Sequence, residues 1–193
     1  MSRRKCHASL AKPKESDLRF NSLVIAQFIK MLMRDGKKQK ASNIVWTALD
    51  MLYEYCNKKG GIIEDANEVK DSESEKAAIE SMTTDEKKNM YTLRVLDKVL
   101  SKAGPSLELI SKRIGGANIQ VPVAVKEERQ KTLAMRNIIV NARKRIPQYK
   151  SMINALAQEM IDVLKGSART LDDVEQMHRM AKANAVFQGV KRA

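Results

Sequence analysis

Residues 111–125 read SKRIGGANIQVPVAV, and the period of this stretch decides the fold. Ile119, Val121, Val123 and Val125 alternate with Gln120, Pro122 and Ala124, and upstream Leu107 and Leu109 alternate with Glu108 and Ile110. A repeat of two is the signature of extended strand. Gly115-Gly116 stands between the two runs, and paired glycines accept the positive-φ backbone of a two-residue hairpin turn. Residues 106–125 are therefore predicted to form a β-hairpin, with Lys112 and Arg113 just before a tip made by Gly115 and Gly116. Pro122 cannot donate a ladder hydrogen bond, so its strand needs a free edge or a local break. Two strands alone are marginal in water. The hairpin thus reads as an arm that an outside surface completes.

Outward from the hairpin the period changes to that of helix. Ala41, Ile44, Val45, Ala48, Leu49 and Leu52 make one apolar stripe over about 37–55, and the segment before it, RFNSLVIAQFIKMLMRDG, closes at Asp35-Gly36. Leu93, Leu96, Leu100 and Ala103 predict a short helix ending at Gly104-Pro105. After the hairpin come a helix over about 127–145, broken at Pro147, and one capped by Ser151 and closed by Gly166. A last helix, with Thr170 and Asp173 in capping-box-like spacing, runs to about Gln188. The fold class is mainly α: a helical bundle of about six helices with one protruding β-hairpin arm. Residues 1–19 form a basic N-terminal arm and 20–193 a single helical domain.

Charge sets the partner class. The chain of 193 residues carries 36 Lys and Arg against 23 Asp and Glu, net +13, a surface suited to a polyanion. Residues 61–90 run the other way: nine acidic against four basic residues, net −5, which leaves +18 on the remainder. This segment reads as a solvated acidic insertion. No apolar run approaches the roughly 20 residues of a membrane span. Cys6 and Cys56 make neither a disulfide framework nor a metal half-site, and the start, MSRRKCHASLAKPKES, reads as part of the mature protein. Neither Cys6-His7 nor His178 has a ligand or base partner at useful spacing. Gly115-Gly116 lacks the Lys-Ser/Thr of a phosphate-binding loop. No enzyme, metal or cofactor is expected.

Two basic features point to phosphate. In DGKKQK, Lys37, Lys38 and Lys40 crowd a helix N-terminus, where they oppose the helix dipole unless an anion sits between them. Arg129, Arg136 and Arg143 repeat every seven residues, drifting only about 20° per step, while Ala134, Met135, Ile138, Ile139 and Ala142 occupy another face. An arginine stripe opposite a core stripe suits a helix laid along a nucleic-acid backbone.

At these residues SKRIGGANIQVPVAV, TLAMR, NARKR and HRMAKANAVF, with the MSRRK start, FNSLVIAQFIKMLMRDGKK and IVWTALDML in the same order, closely resemble small-subunit ribosomal protein seven of the bacterial and organellar type. The resemblance covers most of the chain except 57–90. It implies a helical ribosomal fold that binds the 3′ major domain of small-subunit rRNA and initiates head assembly. It also implies a hairpin near exit-site tRNA and the departing mRNA, beside ribosomal proteins eleven and nine. Carried over by position, the RNA contacts include Arg3, Arg4, Lys5, Lys37, Lys38, Lys112, Arg113, Arg136, Arg143, Lys144 and Arg145, to which the lysine cluster and the arginine stripe add Lys40 and Arg129. The chain departs from the family pattern at Ile119, where the family often has Tyr, and at Met135-Arg136-Asn137, where it has MRW. LDDVEQ replaces a basic loop, the aromatic tail after Phe187 is missing, and the acidic insertion is atypical. These departures favour a mitochondrial setting over a plastid or a bacterial cytoplasm. Charge and helices alone would also fit a DNA-binding or nucleoid protein, but no helix-turn-helix pair stands out.

Overall fold

The computed structural model describes residues 15–58, 83–114 and 116–187. Among these, six α-helices and one antiparallel hairpin form the mainly α fold expected: α1 (Leu23–Leu32), α2 (Lys38–Lys58), α3 (Thr84–Ala103), β1 (Leu107–Ile114), β2 (Ala117–Ala124), α4 (Glu127–Tyr149), α5 (Met152–Lys165) and α6 (Arg169–Ala183). A 3₁₀ turn, Ala185–Phe187, follows α6.

The bundle is built around α5. Its Ala155, Leu156, Ala157, Met160, Ile161, Val163 and Leu164 are all buried, and Glu159 and Asp162 among them are buried as well, so most of its surface faces protein. α2, α3, α4 and α6 pack against it. The core joins Ile25, Phe28 and Ile29 of α1 to Val45, Leu49 and Leu52 of α2, Leu96 and Leu100 of α3, and Met135 and Ile138 of α4. The ends of α5 are where the sequence puts them: Ser151 Oγ accepts the Ile153 N–H at 3.3 Å, and Gly166 closes the helix at φ +81°.

Several boundaries differ from expectation. α1 occupies only Leu23–Leu32, because the segment before it folds back onto α2. There Asp17 Oδ2 accepts the Trp46 indole N–H at 3.0 Å, and Arg19 forks Asp50 at 2.8 Å on both nitrogens. Residues 83–90, read as part of the acidic insertion, are helix and cap. Thr83 Oγ1 accepts the Glu86 N–H and the Thr83 N–H donates to Glu86 Oε2, a capping box that starts α3 well before its apolar stripe. The rest of the insertion, 61–82, lies outside the described residues.

α4 continues past Pro147 to Tyr149. The proline falls in the last turn, where its missing N–H removes a single bond, and Lys150 then closes the helix at φ +56°. α6 is capped by Ala168, not Thr170, whose hydroxyl is committed to Glu159 at 2.6 Å.

The expected hairpin is present, with a register from Leu107 opposite Ala124 to Ile114 opposite Ala117 around a turn in which Gly116 has φ +91°. Its root is not free-standing. β1 packs on α6 and β2 on the 3₁₀ turn, Val121 is only 2% exposed, and Pro122 is buried. In a two-stranded ribbon each strand keeps one unpaired edge, so Pro122 sits opposite Leu109 without interrupting a third strand.

Candidate nucleic-acid interface

The turn between α1 and α2 is Arg34-Asp35-Gly36-Lys37. Asp35 and Gly36 both have positive φ, +51° and +70°, and the Lys37 N–H returns to Arg34 O at 3.0 Å. That is a tight turn whose two central residues must be left-handed, which Asp-Gly tolerates. It presents Lys37, Lys38 and Lys40, all exposed, around the first turn of α2. In that turn the Lys38 N–H returns to Gly36 O at 2.8 Å and the Ala41 N–H to Lys37 O at 3.2 Å, while the first N–H groups of any helix lack partners in the helix body. Their nearest carboxylates are distant and exposed: Lys38 to Glu15 at 3.8 Å and Lys37 to Asp35 at 3.9 Å.

The arginine stripe on α4 divides into three roles. Arg129 forks Glu108 of β1 at 2.8 and 3.3 Å, tying the hairpin root to α4. The hydrogen bond from Arg129 holds the Glu108 carboxyl below its ordinary range and lifts the guanidinium above its own. Arg136 is exposed and no hydrogen bond engages it among the described residues, although its charge reaches Glu108. Arg143 is half-buried and donates to Leu32 O at 3.3 Å, capping the end of α1. Burial, and then the neighbouring Arg34 cation, lower the Arg143 pKa. Arg34, Lys37, Lys40 and Arg143 line one pocket floored by Leu32, Ala41, Ile44, Ile146 and Met152, with no carboxylate among its described lining residues.

The next two cations of NARKR have partners within the protein, although Lys144 stays exposed. Lys144 reaches Asn141 Oδ1 at 3.1 Å, and buried Asn141 bonds Thr170 and Asp173 on α6. Arg145 lies 2.7 Å from Asp162 and 2.8 Å from Glu159 on α5. Glu159 is 0% exposed and accepts both the backbone N–H and the hydroxyl of Thr170 on its other oxygen. Burial opposes the Arg145 charge, but the Asp162 hydrogen bond and both carboxylates more than compensate and raise its pKa. Sequence periodicity does not reveal this triad, since Glu159 and Asp162 fall beside apolar residues of α5.

At the hairpin tip Arg113 is exposed and Lys112 half-exposed; Gly115 lies outside the described residues, as do Arg3, Arg4 and Lys5. His178 Nε2 accepts the Ser106 N–H at 3.2 Å, so it secures the hairpin root. No cluster of metal-ligating side chains occurs among the described residues. Arg34 is the residue that sequence reading missed. Its signal was its place immediately before the Asp-Gly turn, beside the lysine cluster with which it lines the pocket.

The profile of the family described as Ribosomal protein S7p/S5e matches residues 2–185. The chain belongs to this family. Members named small ribosomal subunit protein uS7 are similar over nearly the whole length. The one from Coxiella burnetii is 34% identical over 197 residues, covering 99% of this chain and 100% of its own. The one from Chloroflexus aggregans is 35% identical over 176 residues, covering 91% and 90%. S7 proteins are structural components and not enzymes, which disposes of the catalytic readings of Cys6, His7 and His178. These relatives are bacterial, and they give the mitochondrial preference no support.

Proposed function

We propose that this S7-family chain is a structural constituent of the small ribosomal subunit and grips the 3′ major domain of its rRNA through the pocket between the α1–α2 turn and α4. The observation that carries this reading is the placing of Arg34 and half-buried Arg143 in one pocket with Lys37 and Lys40, with no carboxylate among its described lining residues. Two guanidiniums that share one pocket without a carboxylate beside them are costly unless an anion joins them. A phosphate accepts from both guanidiniums and from the helix N-terminus at once. Exposed Arg136 extends the cationic face along α4, and Arg3, Arg4 and Lys5 add charge from the N-terminal arm.

In this reading the chain nucleates assembly of the subunit head, and Lys112 and Arg113 carry the hairpin tip toward exit-site tRNA and mRNA, near ribosomal proteins eleven and nine. Arg129, Lys144 and Arg145 serve the interface indirectly, by holding the hairpin root and α6 in place.

The test is the salt dependence of binding to a 3′ major domain rRNA fragment. Replacing Arg143 with Gln should weaken binding and flatten the log–log salt slope by about 0.7–0.9 for each phosphate that is no longer neutralised. Arg136→Gln should act in the same direction, and Arg145→Gln should leave the slope of the folded protein unchanged. Equal loss on duplex DNA of matched charge would favour the nucleoid reading instead.

A further inference from the structure

The pocket between the α1–α2 turn and α4 is larger than a phosphate requires. It encloses about 450 Å³, within the range of small-molecule clefts, roughly 300–1,000 Å³. Four helices supply its apolar floor: Leu32 from α1, Ala41 and Ile44 from α2, Ile146 from α4 and Met152 from α5. Leu32 and Ala41 are buried, whereas Ile44, Ile146 and Met152 keep part of their surface open. A phosphate is strongly hydrated and gains nothing from apolar surface. Phosphate binding therefore accounts for the cationic rim and leaves the floor without an occupant. The rim cations differ in how they are held. Arg143 gives Nη2 to Leu32 O, which fixes its guanidinium at the end of α1. The side chains of Arg34 and Lys40 are exposed and enter no hydrogen bond or ion pair among the described residues.

We propose that this pocket seats a whole nucleotide of an unpaired RNA segment, with its base unstacked onto the apolar floor and its phosphate between Arg34 and Arg143. Resting on the proposed function, this site contacts a base where that reading needs only a phosphate. Each part of the ligand has its counterpart. The flat face of the base covers Ile44, Ile146 and Met152, and the ribose holds the phosphate close enough to meet the rim at the same time. Guanidiniums suit both halves, since they bind phosphate with their edges and stack on bases with their faces. Unpaired strands splay a base out at little cost, whereas a duplex must first break a pair. The partner is therefore a loop, bulge or junction strand. A purely acidic peptide would engage the rim and leave the floor bare.

The full-length chain is titrated with fluorescein-labelled octauridine, with an abasic octamer of equal charge, and with an octapeptide of alternating Leu and Glu, which offers apolar and anionic groups without a base. A 4-thiouridine version is crosslinked and the site mapped by mass spectrometry. Octauridine should bind at least about fivefold more tightly than the abasic strand, the lower end of what one base contact contributes. Crosslinks should fall at Ile44, Ile146 or Met152. Ile44→Thr puts a hydroxyl into the floor without altering charge, so it should erase most of that preference and leave abasic binding and both salt slopes unchanged. Ile146→Thr, on a different helix, should do the same, and Arg143→Gln should weaken both strands. Circular dichroism checks that each variant is folded, and the crosslink map needs no variant. The proposal is overturned if uridine and abasic strands bind equally, if both floor variants weaken the two strands alike, if crosslinks map only outside the pocket, or if the peptide displaces octauridine as well as unlabelled octauridine does. The rRNA fragment separates the two readings. If Arg143→Gln flattens its salt slope while the two octamers bind alike, only the base site is refuted; if that slope is unchanged, the phosphate grip itself fails.

Discussion

Arg145 closes NARKR, a motif whose other cations read as RNA contacts, yet its guanidinium is engaged by two carboxylates of α5. Replacing it with Met tests that reversal. The change preserves much of the side-chain volume and leaves Glu159, 0% exposed, with only its two bonds from Thr170, while Asp162 keeps Gln158 and a distant Lys165. Stripping the partner from a buried carboxylate costs about 3–5 kcal/mol. Because Arg145 is itself 21% exposed on its side chain, solvent softens the loss, and about 3 kcal/mol is expected. For a domain of this size that is a fall in Tm of about 6–12 °C. Urea denaturation followed by circular dichroism measures it. The double substitution with Glu159→Met should recover part of the loss, since it removes the stranded charge. Arg136→Gln should cost less than about 0.5 kcal/mol, as surface changes do. A loss below about 1 kcal/mol for Arg145→Met, with rRNA binding abolished, would refute the structural role and return Arg145 to the RNA interface.

Three further outcomes follow from the same packing. Asp50 is opposed by burial, yet the Arg19 and Lys88 contacts hold its carboxyl below the ordinary 3.8; its contribution is therefore present above about pH 4 and lost as pH falls through the depressed folded value, and Arg19→Gln should lessen that acid sensitivity in a pH series of unfolding curves. Val121→Ser should cost about 1.5–3 kcal/mol because that side chain is 2% exposed at the hairpin root, whereas replacing Lys112 and Arg113 at the tip should leave thermal stability within about 0.5 kcal/mol and alter only ribosomal readouts. Deleting 61–90 should be more destabilising than deleting 61–82, by about 1 kcal/mol or more, because only the longer deletion removes the Thr83–Glu86 capping box and Lys88; equal melting curves would show that the cap is dispensable.

What the sequence determined by itself was whatever depends on near neighbours. The two-residue period around Gly115-Gly116 specified the hairpin, because strand alternation and turn chemistry are local. The apolar stripes and the Ser151 and Gly166 caps located α2 and α5 for the same reason. Asp35-Gly36 announced the turn that gathers Lys37, Lys38 and Lys40. Tertiary structure decided which cations remain available for a partner. Arg129, Arg136 and Arg143 share one stripe on α4, but Glu108 of β1 engages the first, solvent surrounds the second, and Leu32 O and Arg34 meet the third. Thr170 looked like a cap until Glu159, eleven residues away, claimed its hydroxyl. A helical period records which way a side chain points, whereas the charge that meets it there comes from another element, and that pairing exists only once the chain has folded.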